Sequence, residues 1–281
     1  MQSIFQGRQL IITTKHEKHL VIAPVLERLL GVSCVLHSKF DTDSLGTFSG
    51  EIERKGDALS VLREKCLAGM KEGNFDLGLA TEGSFGPHPY FPFIPGHEEI
   101  ILLVDQKHGL EIMIRELTAE TNFDALQISS EEDLLKFAER TGFPKHALIL
   151  RPHKEAKIPI YKGIHNSDTL LKKFRELKDT LGEVYVETDM RAAHNPMRMA
   201  FIEKLSEKLA LKALSTCPQC QTPGFSVTES RQGLPCEYCG TPTRSVLSHL
   251  MNCSHCGFQK EIPFPNGKQT EDPMYCDLCN P

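Results

Sequence analysis

Eight of the chain's ten cysteines lie in its last 65 residues as four Cys-x-x-Cys pairs: Cys217/Cys220, Cys236/Cys239, Cys253/Cys256 and Cys276/Cys279. Fifteen residues separate the first two pairs and 19 the last two, the spacing of tetrahedral tetrathiolate zinc sites. A two-residue gap lets both thiolates of a pair face one metal from a tight knuckle, and Gly240 and Gly257 stand where such a knuckle calls for positive φ. Two structural zinc ions are expected; disulfides or thiol redox chemistry are the alternatives. Four thiolates leave a zinc no open coordination position, so this chemistry supports folding rather than catalysis. His249 and His255 lie beside the knuckles, but the cysteines already complete two sites. Sequential pairing, Cys217/Cys220 with Cys236/Cys239 and Cys253/Cys256 with Cys276/Cys279, is the expected order, because each half carries a strand-like segment, 224–228 and 258–264. Interleaved pairing would instead give a cross-braced module.

A second chemistry is offered by polar segments that follow apolar runs. Thr14, Lys15 and Lys18 sit where a strand enters a helix, a place that favours an anion through backbone N–H groups and the helix dipole. Glu82 and Ser84 lie in a Gly-rich stretch, and His88 is flanked by Pro87 and Pro89. Asp189, Arg191 and Arg198 follow another apolar run; arginines there could clamp phosphate oxygens bidentately. Asp41, Asp43, Glu51, Glu53 and Glu82 are hard oxygen donors suited to Mg²⁺. Each has a plainer reading: solvated lysines, turn-forming aspartates, and an Asp189–Arg191 ion pair at a helix entry.

These groups need elements to position them. Leu10–Thr14 reads as a short buried strand, the apolar pattern through Val21, Val25, Leu29 and Leu30 as a helix ending at Gly31, and Val32–Leu36 as a second strand. Helices are expected over 58–72, 168–180 and 197–214, the last opened by Asn195 and Pro196, and one from a capping box at Ser129–Glu132 to about Thr141. Strands are expected over 77–80, 100–104, 110–117, 147–150, 158–162 and 183–187, with Thr81–Pro89 as a loop. This is the pattern of an α/β domain with a mixed sheet over residues 1–214, followed by a double zinc ribbon over 215–281. In open α/β sheets ligands bind outside the carboxyl ends of the strands, where these polar segments fall.

The chain is 281 residues, 25% charged, with net charge −5. No apolar run reaches membrane length and the first residues lack a signal-peptide core, which with metal-type cysteines suggests a reducing cytoplasm and no membrane association. The cysteine-rich tail holds four basic residues against six acidic ones, little material for the basic face by which ribbons grip nucleic acid. A protein partner or homodimer contact suits it better. No P-loop, dinucleotide fingerprint, nucleophile elbow or His-Glu-x-x-His motif is present.

Two resemblances follow from these residues. The segments Thr47–Arg54, Glu82–Pro89 and Glu187–Ala192, with the paired ribbons, resemble an uncharacterised bacterial family with a domain of unknown function. The large domain, over residues 8–214, is distantly similar to the house-cleaning nucleoside-triphosphate pyrophosphatases, the inosine/xanthosine triphosphatase and Maf-like group. That likeness rests on the Thr14–Lys18 turn, the order Glu53, Gly56 and Lys65, the Glu82-Gly83-Ser84 stretch, and Arg191 or Arg198 near a helix start; the turn lacks the family's Asn. The resemblance implies Mg²⁺-dependent hydrolysis at the α-phosphorus of a nucleotide or related phosphate compound. Glu82 would bind metal or orient water, Glu53 would add a metal ligand, and Lys18, Lys65 and Arg198 would neutralise phosphate charge. On the reading of the polar segments above, Thr14, Lys15, Ser84, His88, Asp189 and Arg191 would contact substrate. The rival expectation is a non-enzymatic protein whose α/β domain binds an anion and whose ribbons dock a partner.

Overall fold

A computed structural model describes residues 3–14, 16–36 and 58–281. Lys15, Asp41, Asp43, Glu51, Glu53 and Gly56 lie outside the described residues. The chain divides into two compact units, Met1–Ala210 and Leu211–Pro281.

The first unit runs β1 (Gln9–Thr13), α1 (His19–Leu30), β2 (Ser33–Leu36), α2 (Ala58–Gly73), β3 (Leu77–Pro87), β4 (Pro95–Asp105), β5 (Leu110–Thr118), β6 (Ala125–Ile128), α3 (Glu131–Arg140), β7 (Leu148–Arg151), β8 (Tyr161–Ile164), α4 (Ser167–Leu181), β9 (Val184–Thr188) and α5 (Pro196–Leu214), whose last turn enters the second unit. The second holds β10 (Ser226–Gln232), β11 (Val246–Asn252) and β12 (Gln259–Pro263).

A five-stranded mixed sheet has the order β2-β1-β3-β4-β5, with β1 parallel to both β2 and β3 and the β3–β4–β5 meander antiparallel. Chain connections leave β1 in one direction and return on its other side, so the carboxyl end of β1 is a switch point of the sheet. Alternation along the strands puts Ile11, Ala80, Ile100, Leu102 and Val104 against Leu62, Cys66 and Met70 of α2. The intervening Leu10, Ile12, Leu79, Ile101 and Leu103 are equally buried, so this sheet is covered on both faces. The second sheet, β6-β9-β7-β8, is wholly antiparallel, and α3 and α4 cover it with Leu134, Phe137, Leu170, Phe174 and Leu177. Among the described residues the architecture is mixed α/β with no barrel.

Several boundaries differ from the sequence reading. Residues 81–87 are strand rather than loop: β3 continues seven residues past Ala80, paired throughout with β4, which begins at Pro95. Thr-Glu-Gly-Ser-Phe-Gly-Pro reads as loop chemistry, yet the ladder satisfies its backbone and its alternating residues meet buried partners. The cap of α3 is Ser130, one residue later than the capping box placed it; its hydroxyl accepts from the Asp133 amide. The strands β6 and β11 are not anticipated by periodicity.

Candidate functional site

The last rung between β1 and β3 joins Thr13 to Ala80. Beyond it β1 turns into α1 while β3 runs on, so among the described residues no strand continues along that edge of β3. The turn is formed by His16 and Glu17, both non-glycine residues at positive φ (59° and 61°), a backbone strain that concentrates at functional sites. It delivers Lys18 to the start of α1, where the first turn carries no acidic residue.

Two lysines enter this gap from opposite faces of the sheet. Lys18 comes from the side of Thr81, Gly83 and Glu99: its Nζ donates to Thr81 Oγ1 at 2.6 Å and to Glu99 Oε1 at 2.7 Å. Lys65 comes from α2, donates to the Thr81 carbonyl at 3.2 Å and lies 3.6 Å from the Glu82 carboxylate, which alternation puts on the α2 face. Both lysines are buried. Burial lowers Lys18 to about 8, with Arg198 adding and Glu99 opposing, and burial also lowers Lys65, against Glu82 and Glu99.

Behind Lys18 stands a closed ionic network. Arg198, in the first turn of α5, donates from Nε and Nη2 to Glu99 at 3.0–3.2 Å and from Nη1 to the Met190 carbonyl at 2.6 Å. His97 Nε2 lies 3.0 Å from the same carboxylate, its ring stacked on Phe85 at 4.4 Å. Burial would push Glu99 up; Arg198, Lys18 and His97 together hold it well below the usual carboxylate range. Burial likewise lowers His97, so it is neutral near pH 7. Gly83 faces Glu99 across the ladder, and a Cβ there would come within 2.3 Å of Glu99 Oε2 and 2.5 Å of Arg198 Nη2. The glycine is what lets the network close.

The structure thus gathers Lys18, Lys65, Glu82 and Arg198, with Thr14 buried one residue beyond β1 and half-buried Ser84 on the Glu82 face. It changes the role of Arg198, whose fully buried guanidinium orients Glu99 and the residues after β9 rather than reaching outward. Asp189 is buried and bidentate with Arg191, at 2.9 and 2.6 Å, and accepts from the Gly163 amide, so the plain ion-pair reading of this segment is what the geometry shows. His88 lies at the β3–β4 turn, accepting from the Tyr90 amide with its ring against Tyr90 and Phe91, away from the lysines. Sequence reasoning missed Glu99, His97 and Thr81. Their signal was two polar residues spaced by two, 97 and 99, just before an apolar run of five, the mark of a strand whose buried face turns polar.

The described residues of this cluster do not offer a divalent cation free oxygen ligands. The Glu99 oxygens are engaged by Lys18, Arg198 and His97, and the Glu82 carboxylate lies against the Lys65 ammonium. Among the described residues, the groupings able to hold a metal are two sets of cysteines.

Those sets are crossed: Cys217, Cys220, Cys253 and Cys256 form one, and Cys236, Cys239, Cys276 and Cys279 the other. The sequential pairing expected from sequence is therefore corrected to the cross-braced one. The cause is β11, unrecognised in sequence. Antiparallel pairing of Ser226 with Asn252 sets the first knuckle beside the third. Then β12 returns along β11 and carries the chain back to the end where the second knuckle sits, between β10 and β11. Each end of the three-stranded sheet thus carries one four-cysteine group. Facing Sγ atoms are 3.6–3.9 Å apart, too far for disulfides and near the edge of about 3.8 Å for a tetrahedron with Zn–S bonds of about 2.3 Å. Each knuckle closes by a hydrogen bond in which the backbone N–H of Gln221, Gly240, Gly257 or Asn280 donates to the carbonyl of its first cysteine. Gly240 and Gly257 have positive φ as expected, and Gln221 adopts it without being glycine. The two groups could hold two zinc ions, and the core they accompany is small: Phe225 with Met251 and Phe258 packed on Cys217 and Cys253.

No helix among the described residues is long and apolar enough to cross a membrane. No curated protein matches the chain, and nothing found links it to the nucleotide pyrophosphatases. A family model begins its match at Lys65 itself and takes in β3, β4, Arg198 and both four-cysteine groups: residues 65–281 match DUF6671, described as a domain of unknown function, and the chain belongs to that family.

Proposed function

We propose that the α/β unit binds a small anionic, phosphate-bearing ligand beyond the carboxyl end of β1 and hydrolyses it there. The observation that carries this reading is the convergence of Lys18 and Lys65, from opposite faces of the sheet, on the stretch of β3 beyond Ala80, beside Glu82. Among the described residues, three cations, Lys18, Lys65 and Arg198, meet two carboxylates, Glu82 and Glu99, and a buried excess of positive charge is stabilised by an anion. The switch-point position and the strained His16–Glu17 turn support the same place.

In this reading the lysine ammonium groups take up the charge that develops on phosphate oxygens. The Arg198–Glu99 pair holds Lys18 rigid. Glu82 accepts a proton from the attacking water as its oxygen bonds to phosphorus and the bond to the leaving group breaks. The distant resemblance read from the sequence motifs makes nucleoside triphosphates the first substrates to examine. The cysteine-rich unit contributes structure and, in the rival reading, a docking surface for a protein partner.

The test is calorimetry with phosphate, pyrophosphate, tripolyphosphate and nucleoside triphosphates, alongside phosphate and pyrophosphate release with and without Mg²⁺. Binding abolished by Lys65→Met, with turnover lost in Glu82→Gln while affinity is retained, is the expected result. Lysine-dependent binding without turnover would leave an anion-binding module. Absence of binding by any of these anions to the folded protein would overturn both.

A further inference from the structure

Apart from the lysine cluster, two histidines of the first unit are in direct contact. His165 follows β8, His194 lies in the helical turn 192–194 after β9, and His165 Nε2 is 3.0 Å from His194 Nδ1. The other ring nitrogen of His165, Nδ1, is 3.0 Å from the Pro144 carbonyl. A carbonyl oxygen only accepts, so Nδ1 of His165 carries its hydrogen, and in the neutral ring Nε2 is bare. The hydrogen between the rings therefore sits on Nδ1 of His194, which leaves Nε2 of His194 without a proton.

We infer that His194 and His165 form a proton relay in which Nε2 of His194 is the accepting end. The O–H bond of a water or hydroxyl donor breaks as its proton bonds to that nitrogen, the electron pair staying on the donor oxygen. The Nδ1–H bond of His194 then breaks as its proton bonds to Nε2 of His165. His194 is left neutral and the charge resides on His165, the more exposed ring, which still donates to Pro144. Every hydrogen bond of the pair is kept in both states, so no group is left unsatisfied.

The surroundings suit this use. His194 is faced by Asp189 and Arg191 from the end of β9, by His165 from β8 and by Glu17 from the turn before α1. Burial, with Arg191 and His165, keeps His194 neutral near pH 7 against Asp189 and Glu17. Gly163, at φ 67°, lies against the ring: a Cβ there would stand 3.0 Å from Cε1 and 3.3 Å from Nε2 of His194. Any other side chain there would crowd the accepting edge. His165 and Gly163 also line a surface pocket of about 530 Å³ with Lys162, Asn166, Thr169 and Lys173, which gives the charged end access to solvent. Glu17, whose charge acts on His194, directly precedes Lys18 in sequence, but the relay does not depend on the proposed ligand.

Long-range ¹H–¹⁵N correlation of the histidine rings in the full-length, zinc-loaded protein tests the relay. It requires the less common Nδ1–H tautomer on both rings above their titration, a first proton that charges His165, and a switch of His194 to Nε2–H in the variant His165→Phe. Folding of that variant is checked by its amide spectrum; if it misfolds, the wild-type tautomers alone still decide. An Nε2–H tautomer of His194 in the wild type, or a first proton that charges His194, would overturn the relay.

Discussion

Glu99 and Arg198 are 99 residues apart in sequence, 3.0 Å apart in space, and neither side chain is exposed at all. The pair ties the middle of β4 to the first turn of α5, and Arg198 passes the connection on to the Met190 carbonyl after β9. One carboxylate therefore fixes both the sheet on which the lysines converge and the segment that leads to the histidine pair.

Removing that carboxylate while leaving its partners should be severe. Glu99→Leu strands Arg198 and Lys18 as buried, uncompensated charges and should cost about 3–5 kcal/mol in denaturant unfolding of the first unit. Gly83→Ala tests the same network from the other side: its Cβ would sit 2.3 Å from Glu99 Oε2, and a loss of about 1–3 kcal/mol is expected. A Gly83→Ala protein as stable as wild type would show that the network yields freely.

Metal stoichiometry reports the pairing of cysteines. Cys217→Ser with Cys253→Ser removes two ligands from one site, so one zinc per chain should remain; Cys217→Ser with Cys236→Ser damages both, and zinc should fall towards none. Sequential ribbons would give the reverse, and elemental analysis of the two purified proteins separates the cases.

Chelation should act unevenly. A structural tetrathiolate zinc supplies roughly 10 kcal/mol or more of folding free energy, while the core around Phe225 is small. Hydrogen exchange after stripping should show residues 211–281 losing protection and β1, β3 and β4 keeping theirs. Retained protection throughout would mean that the cysteine-rich unit folds without metal.

The pH dependence of stability and of anion binding should have opposite signs near Lys18. Its folded value is about 8 against an ordinary 10.5, so between these values the unfolded chain holds a proton that the folded chain has released, and stability rises with pH. Anion affinity needs the charged lysine and should fall as pH passes about 8, approaching tenfold per unit. Glu99 contributes no slope in this window, because its folded value is depressed and its stabilisation is lost only as pH falls in the acid range. Melting temperature and calorimetric affinity measured across the same buffers would check both signs.

Sequence alone determined the local elements and the chemistry that spacing encodes. The Cys-x-x-Cys pairs declared four knuckles because a thiolate pair and its turn are complete within four or five residues. The β1–α1–β2 start and the helix at Pro196 are legible from short-range periodicity and caps; Lys18, Glu82 and Arg198 stand out as polar residues after apolar runs, whereas Lys65 enters only through the family resemblance. The tertiary structure alone decided who meets whom. Which knuckles share a metal depended on the pairing of β10 with β11, and β11 carries weak alternation. That β3 runs on to Pro87 depended on β4 satisfying its backbone, which no local propensity states. Glu99 could not be read as the hub of a network because its partners come from residues 18, 97 and 198, and only the packing of sheet against helix brings those charges out of water and within reach of one another.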